Sequence, residues 1–264
     1  MDRGALSRYV DGLQARGRYS FTLGEARSAF AGSEPALRAA LYRLVSKGLA
    51  SAVRRGFYVV VPTEYRSRGV LPPVLFVDDL MRSLGRAYYA GLLSAAALHG
   101  AGHEQPQEFH VVSGLPSLRT LSARSARVRF FCRRHMPAMG IDEKNTDTGV
   151  IRVSCPELTA MDLVLFCRRV GGVDRVTEVL GDLVDLMRPE TLARLAGLAG
   201  PVSVVQRLGF LLEHVVGRRE LCEPLHAFLR RGAYFPVALS SGGVAPAQRN
   251  RWKVLASTGA ETDS

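Results

Sequence analysis

Apolar positions along the first seventy residues recur with a helical period and then switch to the alternation of strands. Leu6, Val10 and Leu13 predict a helix over 5–16, with Gly17 as its stop signal. Thr22 stands three residues before Glu25, the spacing of a capping box, and a short helix is expected over 23–30, ending at Gly32. Ser33 can cap a third helix over 34–47. Pro35 lies in its first turn, where a missing N–H does no harm, and Gly48 suits its C-terminal cap. Leu37, Leu41, Leu44 and Val45 form the inward stripe of that helix, which leaves Arg38, Tyr42, Arg43, Ser46 and Lys47 outward. Strands follow over 49–54 and 57–61, with Arg54-Arg55-Gly56 at the turn. Two short helices joined by a few residues, then a hairpin with a basic tip, predict a winged helix-turn-helix over 1–62.

Residues 62–73 are polar and bounded by prolines, and a linker is expected over 63–73. Beyond it the pattern predicts helices over 74–84 and 88–99 and strands over 108–113, 126–133 and 149–154. A run of helices follows over 157–168, 173–186, 189–198, 202–216 and 221–230. Final strands are expected over 234–239 and 251–256. The fold class is therefore α+β: an N-terminal winged helix-turn-helix and a mixed α/β C-terminal domain over 74–256. Residues 257–264 have the composition of a disordered tail.

Charge sharpens this picture. The 264 residues carry 35 Lys/Arg against 24 Asp/Glu, a net charge of +11, and 47% are hydrophobic, so a core is easily supplied. A surplus of that size favours a polyanionic partner, nucleic acid or an anionic membrane. No stretch has the roughly 18 uninterrupted apolar residues a membrane span needs, so the membrane reading loses support and nucleic acid gains it; a soluble protein that is simply basic stays open on composition alone. Residues 1–70 hold 12 Lys/Arg and 5 Asp/Glu, most of the excess. The opening MDRGALSRYVDG has acids and arginines where a secretory leader is apolar. Cys132, Cys155, Cys167 and Cys222 form no CxxC pair; scattered thiols fit a reducing cytoplasm.

Candidate chemistry concentrates on the third helix and the hairpin tip. Arg38 and Arg43 suit the O6 and N7 acceptors of guanine, Tyr42 and Lys47 flank them, and Arg54 and Arg55 suit phosphates or the minor groove. Ser33 and the helix N-terminus are expected to bind a phosphate. The bland alternative, solvated charges on an amphipathic helix, explains any one of these residues but not their agreement with helix order, cap and turn. A second basic stretch, 116–135, contains Arg119, Arg124, Arg127, Arg129, Arg133 and Arg134 and no acid. Arg124, Arg127 and Arg129 are candidates for a second anionic contact, against the plainer reading as the wet face of a half-buried strand.

Enzyme chemistry finds less. His99, His103 and His110, with Glu104 and Glu108, lack the spacing of a known metal motif. Asp142-Glu143-Lys144 and Asp78-Asp79 resemble fragments of a Mg²⁺ site but lack a convincing strand carrying a further acid, and a solvated loop is expected at 142–144. Cys155 and Cys167 have no adjacent base, and there is no Walker loop and no GxGxxG. No cofactor and no metal are expected.

Several stretches, taken in order, resemble the antitoxins of AbiE abortive-infection (type IV toxin–antitoxin) systems: RGFYVVVP (55–62), YYAGLLSAAALHGA (88–101), QPQEFHVVS (105–113), VSCPELTAMDLV (153–164), VQRLGFLLE (205–213) and NRWKVL (250–255). The resemblance implies a transcriptional repressor that binds inverted repeats in its own promoter. It also implies a partner, a nucleotidyltransferase-like toxin, which the C-terminal domain helps to counter. DNA contact carries over only to the third helix and wing; no toxin-countering residue is assigned. Two other classes stay open on the sequence: a DNA-targeted nuclease or modification enzyme, and a winged-helix protein-interaction module.

Overall fold

A computed structural model describes residues 5–102, 106–239 and 250–256. The chain divides into two compact units, Met1–Ala90 with Gln107–Met136 and Glu143–Arg152, and Gly91–Pro106 with Pro137–Asp142 and Val153–Ser264.

The first unit opens with α1 (Ala5–Gln14), β1 (Ser20–Thr22), α2 (Leu23–Ala29), α3 (Glu34–Ser46), β2 (Ala50–Arg54) and β3 (Phe57–Val60). Leu6, Val10 and Leu13 of α1 are buried together with Leu37, Ala40, Leu41 and Leu44 of α3. Val45, expected inward, is only half-buried; Ala40 completes the stripe, because its small side chain lets the helix lie close. The capping box at α2 is formed: the Glu25 amide donates to Thr22 Oγ1 at 3.2 Å and the Thr22 amide to Glu25 Oε2 at 2.7 Å. Ser33 does stand at the N-cap of α3, but its side chain makes no cap hydrogen bond.

β1 has only three residues and no periodic signal of its own, so the sequence pattern does not announce it. It pairs antiparallel with β3, giving the sheet order β1-β3-β2. Phe21 from β1 is fully buried and stacks on Tyr58, ring centroids 5.2 Å apart, which ties this small sheet to the helical core. Gly56, at φ +79, makes the β2–β3 turn, and its carbonyl accepts from the Leu23 amide at 2.8 Å. The turn is thereby fixed to the start of α2.

Residues 62–73, expected to be a linker, do not run as an extended connector. Thr63–Tyr65 and Pro73–Leu75 form 3-10 turns, and Val70 and Leu71 are buried. α4 (Val77–Ser83) follows. A six-stranded sheet runs β6-β7-β5-β4-β9-β8, from β4 (Tyr88–Ala90), β5 (Phe109–Ser113), β6 (Leu121–Ala123), β7 (Ala126–Cys132), β8 (Ile141–Thr146) and β9 (Gly149–Ser154). β4 pairs antiparallel with β5, β5 parallel with β7, and β6 antiparallel with β7. The helix expected over 88–99 begins instead as β4: two aromatics ahead of Gly91 suit a strand buried on both faces, and the helical run starts only at Leu92. The 142–144 segment, expected as a solvated loop, is part of β8. Its exposed edge position removes the apolar alternation by which a strand is recognised.

The acidic pair Asp78-Asp79 has a packing role. Asp78 accepts from the Tyr88 hydroxyl at 2.9 Å, Asp79 accepts from Ser20 Oγ at 2.7 Å, and both pair with Arg82.

The second unit is helical: α5 (Leu92–Leu98), α6 (Pro156–Leu165), α7 (Gly172–Leu183), α8 (Pro189–Leu195), α9 (Val202–His214) and α10 (Cys222–Leu229). α6 is buried along nearly its whole length, so its polar residues are bonded internally. Thr159 Oγ1 lies 2.6 Å from Ser154 Oγ, and the Arg188 amide donates to Glu157 Oε1 at 2.7 Å. The closing strands β10 (Val237–Ala238) and β11 (Val254–Leu255) pair with each other in parallel and do not join the large sheet. Trp252, just before β11, is wholly buried; its Nε1 donates to Glu213 at 2.5 Å, and its carbonyl accepts from Gln206 at 2.8 Å. The tail expected over 257–264 lies outside the described residues.

Candidate nucleic-acid interface

The buried stripe of α3 dictates what its other face presents. With Leu37, Leu41 and Leu44 inward, Arg38, Tyr42 and Arg43 stand outward, and Lys47 follows at the C-cap. Arg38, Tyr42, Arg43 and Lys47 are all exposed, and Tyr42 retains 74% of its accessibility. Arg54 and Arg55 at the β2–β3 turn are exposed as well. The turn that carries them is tied to the start of α2 through the Gly56 carbonyl.

Several arginines of the first unit are engaged by carboxylates. Arg18 bonds Glu25, Arg27 bonds Glu34, and Arg82 bonds Asp78 and Asp79. Among the described residues, no carboxylate forms an ion pair with Arg43, Lys47, Arg54 or Arg55; Arg38 has a loose one to Glu34 at 3.5 Å. The face expected to meet DNA is thus also one where cations are left unneutralised. Ser33 fits its expected role poorly. The Glu34 carboxylate stands beside it in the first turn of α3, so an anion at that helix end meets a negative charge.

The second basic stretch divides. Arg127 and Arg129 both reach Glu108, at 3.4 and 3.5 Å, and Arg129 also lies over the Phe131 ring. The stretch has no acid of its own; the parallel pairing of β5 with β7 brings one from outside it. Arg124 differs: it is exposed at the tip of the β6–β7 hairpin with φ +53. Neighbouring Ser125 Oγ donates to the Arg68 carbonyl at 2.9 Å.

Enzymatic candidates do not converge. His99 Nε2 lies 2.7 Å from the Ser154 carbonyl, and His110 is buried on β5 beside Phe131. His103 and Glu104 lie outside the described residues. Among the described residues, no three or more His, Cys, Asp or Glu side chains are grouped to hold a metal ion. Burial pushes the Cys155 thiol up to about 12 and raises that of Cys167, which keeps both protonated at neutral pH. No helix of the described residues is long and apolar enough to cross a membrane.

Residues 89–214, from β4 to the end of α9, match the family model of the AbiEi antitoxin C-terminal domain. The match supports an AbiEi-type antitoxin family. The matched region contains three of the six stretches in which the sequence resembles that family and all but the first residue of a fourth, 88–101, and it begins after the cationic face just described. Among solved structures, the RV2827C protein from Mycobacterium tuberculosis is similar, with a TM-score of 0.67 and 19% identity over 95% of this chain and 90% of that one. At that identity the likeness concerns the fold alone. No curated protein matches the chain.

Proposed function

We propose that the chain is a cytoplasmic DNA-binding repressor and the antitoxin of a type IV toxin–antitoxin operon. In this reading residues 1–62 are a winged helix-turn-helix, and α3 enters the major groove of inverted repeats in the operon's own promoter. The element order α1-β1-α2-α3-β2-β3 with sheet order β1-β3-β2 supports it. The observation that carries it is the set of cations without described carboxylate partners, Arg43, Lys47, Arg54 and Arg55, on one helix and its adjoining turn. Arg38, Tyr42, Arg43 and Lys47 meet base edges and phosphates, and Arg54 and Arg55 anchor the wing on the backbone. Arg124 provides a secondary hold on flanking DNA, while Arg127 and Arg129 are largely committed to Glu108.

The AbiEi-type match implies a toxin partner, and we assign the countering of a nucleotidyltransferase-like toxin to residues 89–214. The protein needs no cofactor for either role and is not an enzyme. A gel shift with the native upstream region tests the DNA half. Binding is expected, and Arg38→Ala with Arg43→Ala weakens it by about 1–3 kcal/mol for each base-reading side chain removed. Unchanged binding by the folded double variant removes these residues from the reading face. Co-expression with the adjacent toxin tests the other half: growth is expected to recover.

A further inference from the structure

Between Ala26 and Thr63 the chain carries six Lys or Arg and a single acid, Glu34. That acid occupies the first turn of α3, at the end of the helix that a recognition helix turns toward base edges. Arg27, in the last turn of α2, donates to it from Nε and Nη2, each at 3.0 Å. This is the two-bonded fork that guanidinium and carboxylate geometry favours. Arg38, one turn further along α3, approaches the same carboxylate at 3.5 Å. Three side chains therefore set the charge of this corner: two cations and one anion, with the anion holding both cations.

Exposed pairs of this kind add little to folding stability, so their effect lies in the field the surface presents. A duplex of arbitrary sequence attracts such a surface through its phosphates. Glu34 repels those phosphates, keeps Arg27 from them and competes with them for Arg38, whose pair with it is the looser one. A site that offers an exocyclic amino group, as cytosine does with N4 in the major groove, gives the carboxylate a donor and offsets the repulsion. We propose that Glu34 is a specificity-determining residue that penalises phosphate-only binding, with Arg27 as the residue that positions it. This rests on the reading of α3 as the DNA-facing helix.

Fluorescence anisotropy of the full chain on its upstream promoter duplex and on a scrambled duplex, across a salt series, tests it. Glu34→Gln is expected to tighten binding to the scrambled duplex by about 5- to 10-fold. It should also steepen that duplex's log–log salt slope by about one to two, as Arg27 and Arg38 become free for phosphates. Promoter affinity should change less, so discrimination falls. Arg27→Gln, which leaves the carboxylate unclamped, is expected to shift scrambled binding the other way. If the wild type binds its promoter and both variants keep its discrimination ratio and slope, the role of Glu34 is overturned and the DNA reading stands. If the wild type shows no salt-dependent binding to either duplex, the DNA reading fails and takes this inference with it.

Discussion

Gly209 shows how one missing Cβ positions a distant segment. A Cβ built there would lie 2.1 Å from the Trp252 ring, a separation no side chain tolerates, and the atom it meets belongs to a rigid indole. Trp252 is held by three neighbours besides: Gln206 bonds its carbonyl, Glu213 accepts from its Nε1, and the Arg251 guanidinium lies over its ring at 5.1 Å. Gly209→Ala is therefore expected to destabilise the protein by about 2–4 kcal/mol through displacement of a fully buried side chain. Trp252 is the sole tryptophan, so the emission maximum reports the displacement directly and should shift to the red. Glu213 adds a pH dependence. Partial burial raises its pKa, but hydrogen bonds from Arg251 and Trp252 outweigh that and hold it below the ordinary carboxylate value. A depressed folded-state pKa stabilises above the unfolded value and loses that contribution as pH falls through the folded one. The Trp252 clamp should hold unchanged at pH 6–8 and loosen below about pH 4, followed by the same emission.

At the scale of elements, helices with strong local signals and strands with apolar alternation (β2, β3, β5, β7 and β9) are legible in the sequence, whereas β1, β4, β6 and β8, defined by their sheet partners, are not. α1, α2 and α3 can be read to within a few residues because periodicity and caps are local properties: Leu6-Val10-Leu13, Thr22 with Glu25, Pro35 in a first turn. β4 reads as the start of a helix, since two tyrosines and an alanine run also fit one; only its place inside the sheet distinguishes it. β8 is polar because it is an edge, and the pairing of Arg127 and Arg129 with Glu108 arises from a parallel register that no sequence motif announces. On the candidate interface, outward placement of Arg38, Tyr42 and Arg43 follows from the apolar stripe. The acid that holds Arg38 stands in plain view at Glu34, but its reach to Arg27 requires the packing of α2 beside α3. Two outcomes belong to this scale. Thr22→Ala removes the capping box and should cost about 0.5–2 kcal/mol in chemical denaturation. Arg124→Gln should lower the salt slope of promoter binding by about one, whereas Arg127→Gln, already neutralised by Glu108, should leave it nearly unchanged.

For the whole molecule, the positive excess and the family match lie on different stretches of chain. Residues 1–70 carry most of the positive excess, while the AbiEi-type match begins at residue 89 and so excludes α3 and the β2–β3 turn. Five cations, Arg38, Arg43, Lys47, Arg54 and Arg55, make up the proposed phosphate-facing set. Five displaced counterions correspond to a log–log slope of about −4 to −5, hence a roughly 500-fold drop in affinity between about 50 and 200 mM salt. Removing Arg38 and Arg43 together should lower the slope by about two if both meet phosphate. The same double variant should still rescue growth when co-expressed with the toxin, because the residues matched to the antitoxin domain are untouched. A promoter fusion and a growth assay in one strain measure both at once: derepression with intact rescue is the expected outcome. Loss of rescue alongside loss of repression, in a variant that folds normally, would mean that α3 serves the toxin as well as the operator, and the separation of roles would have to be abandoned.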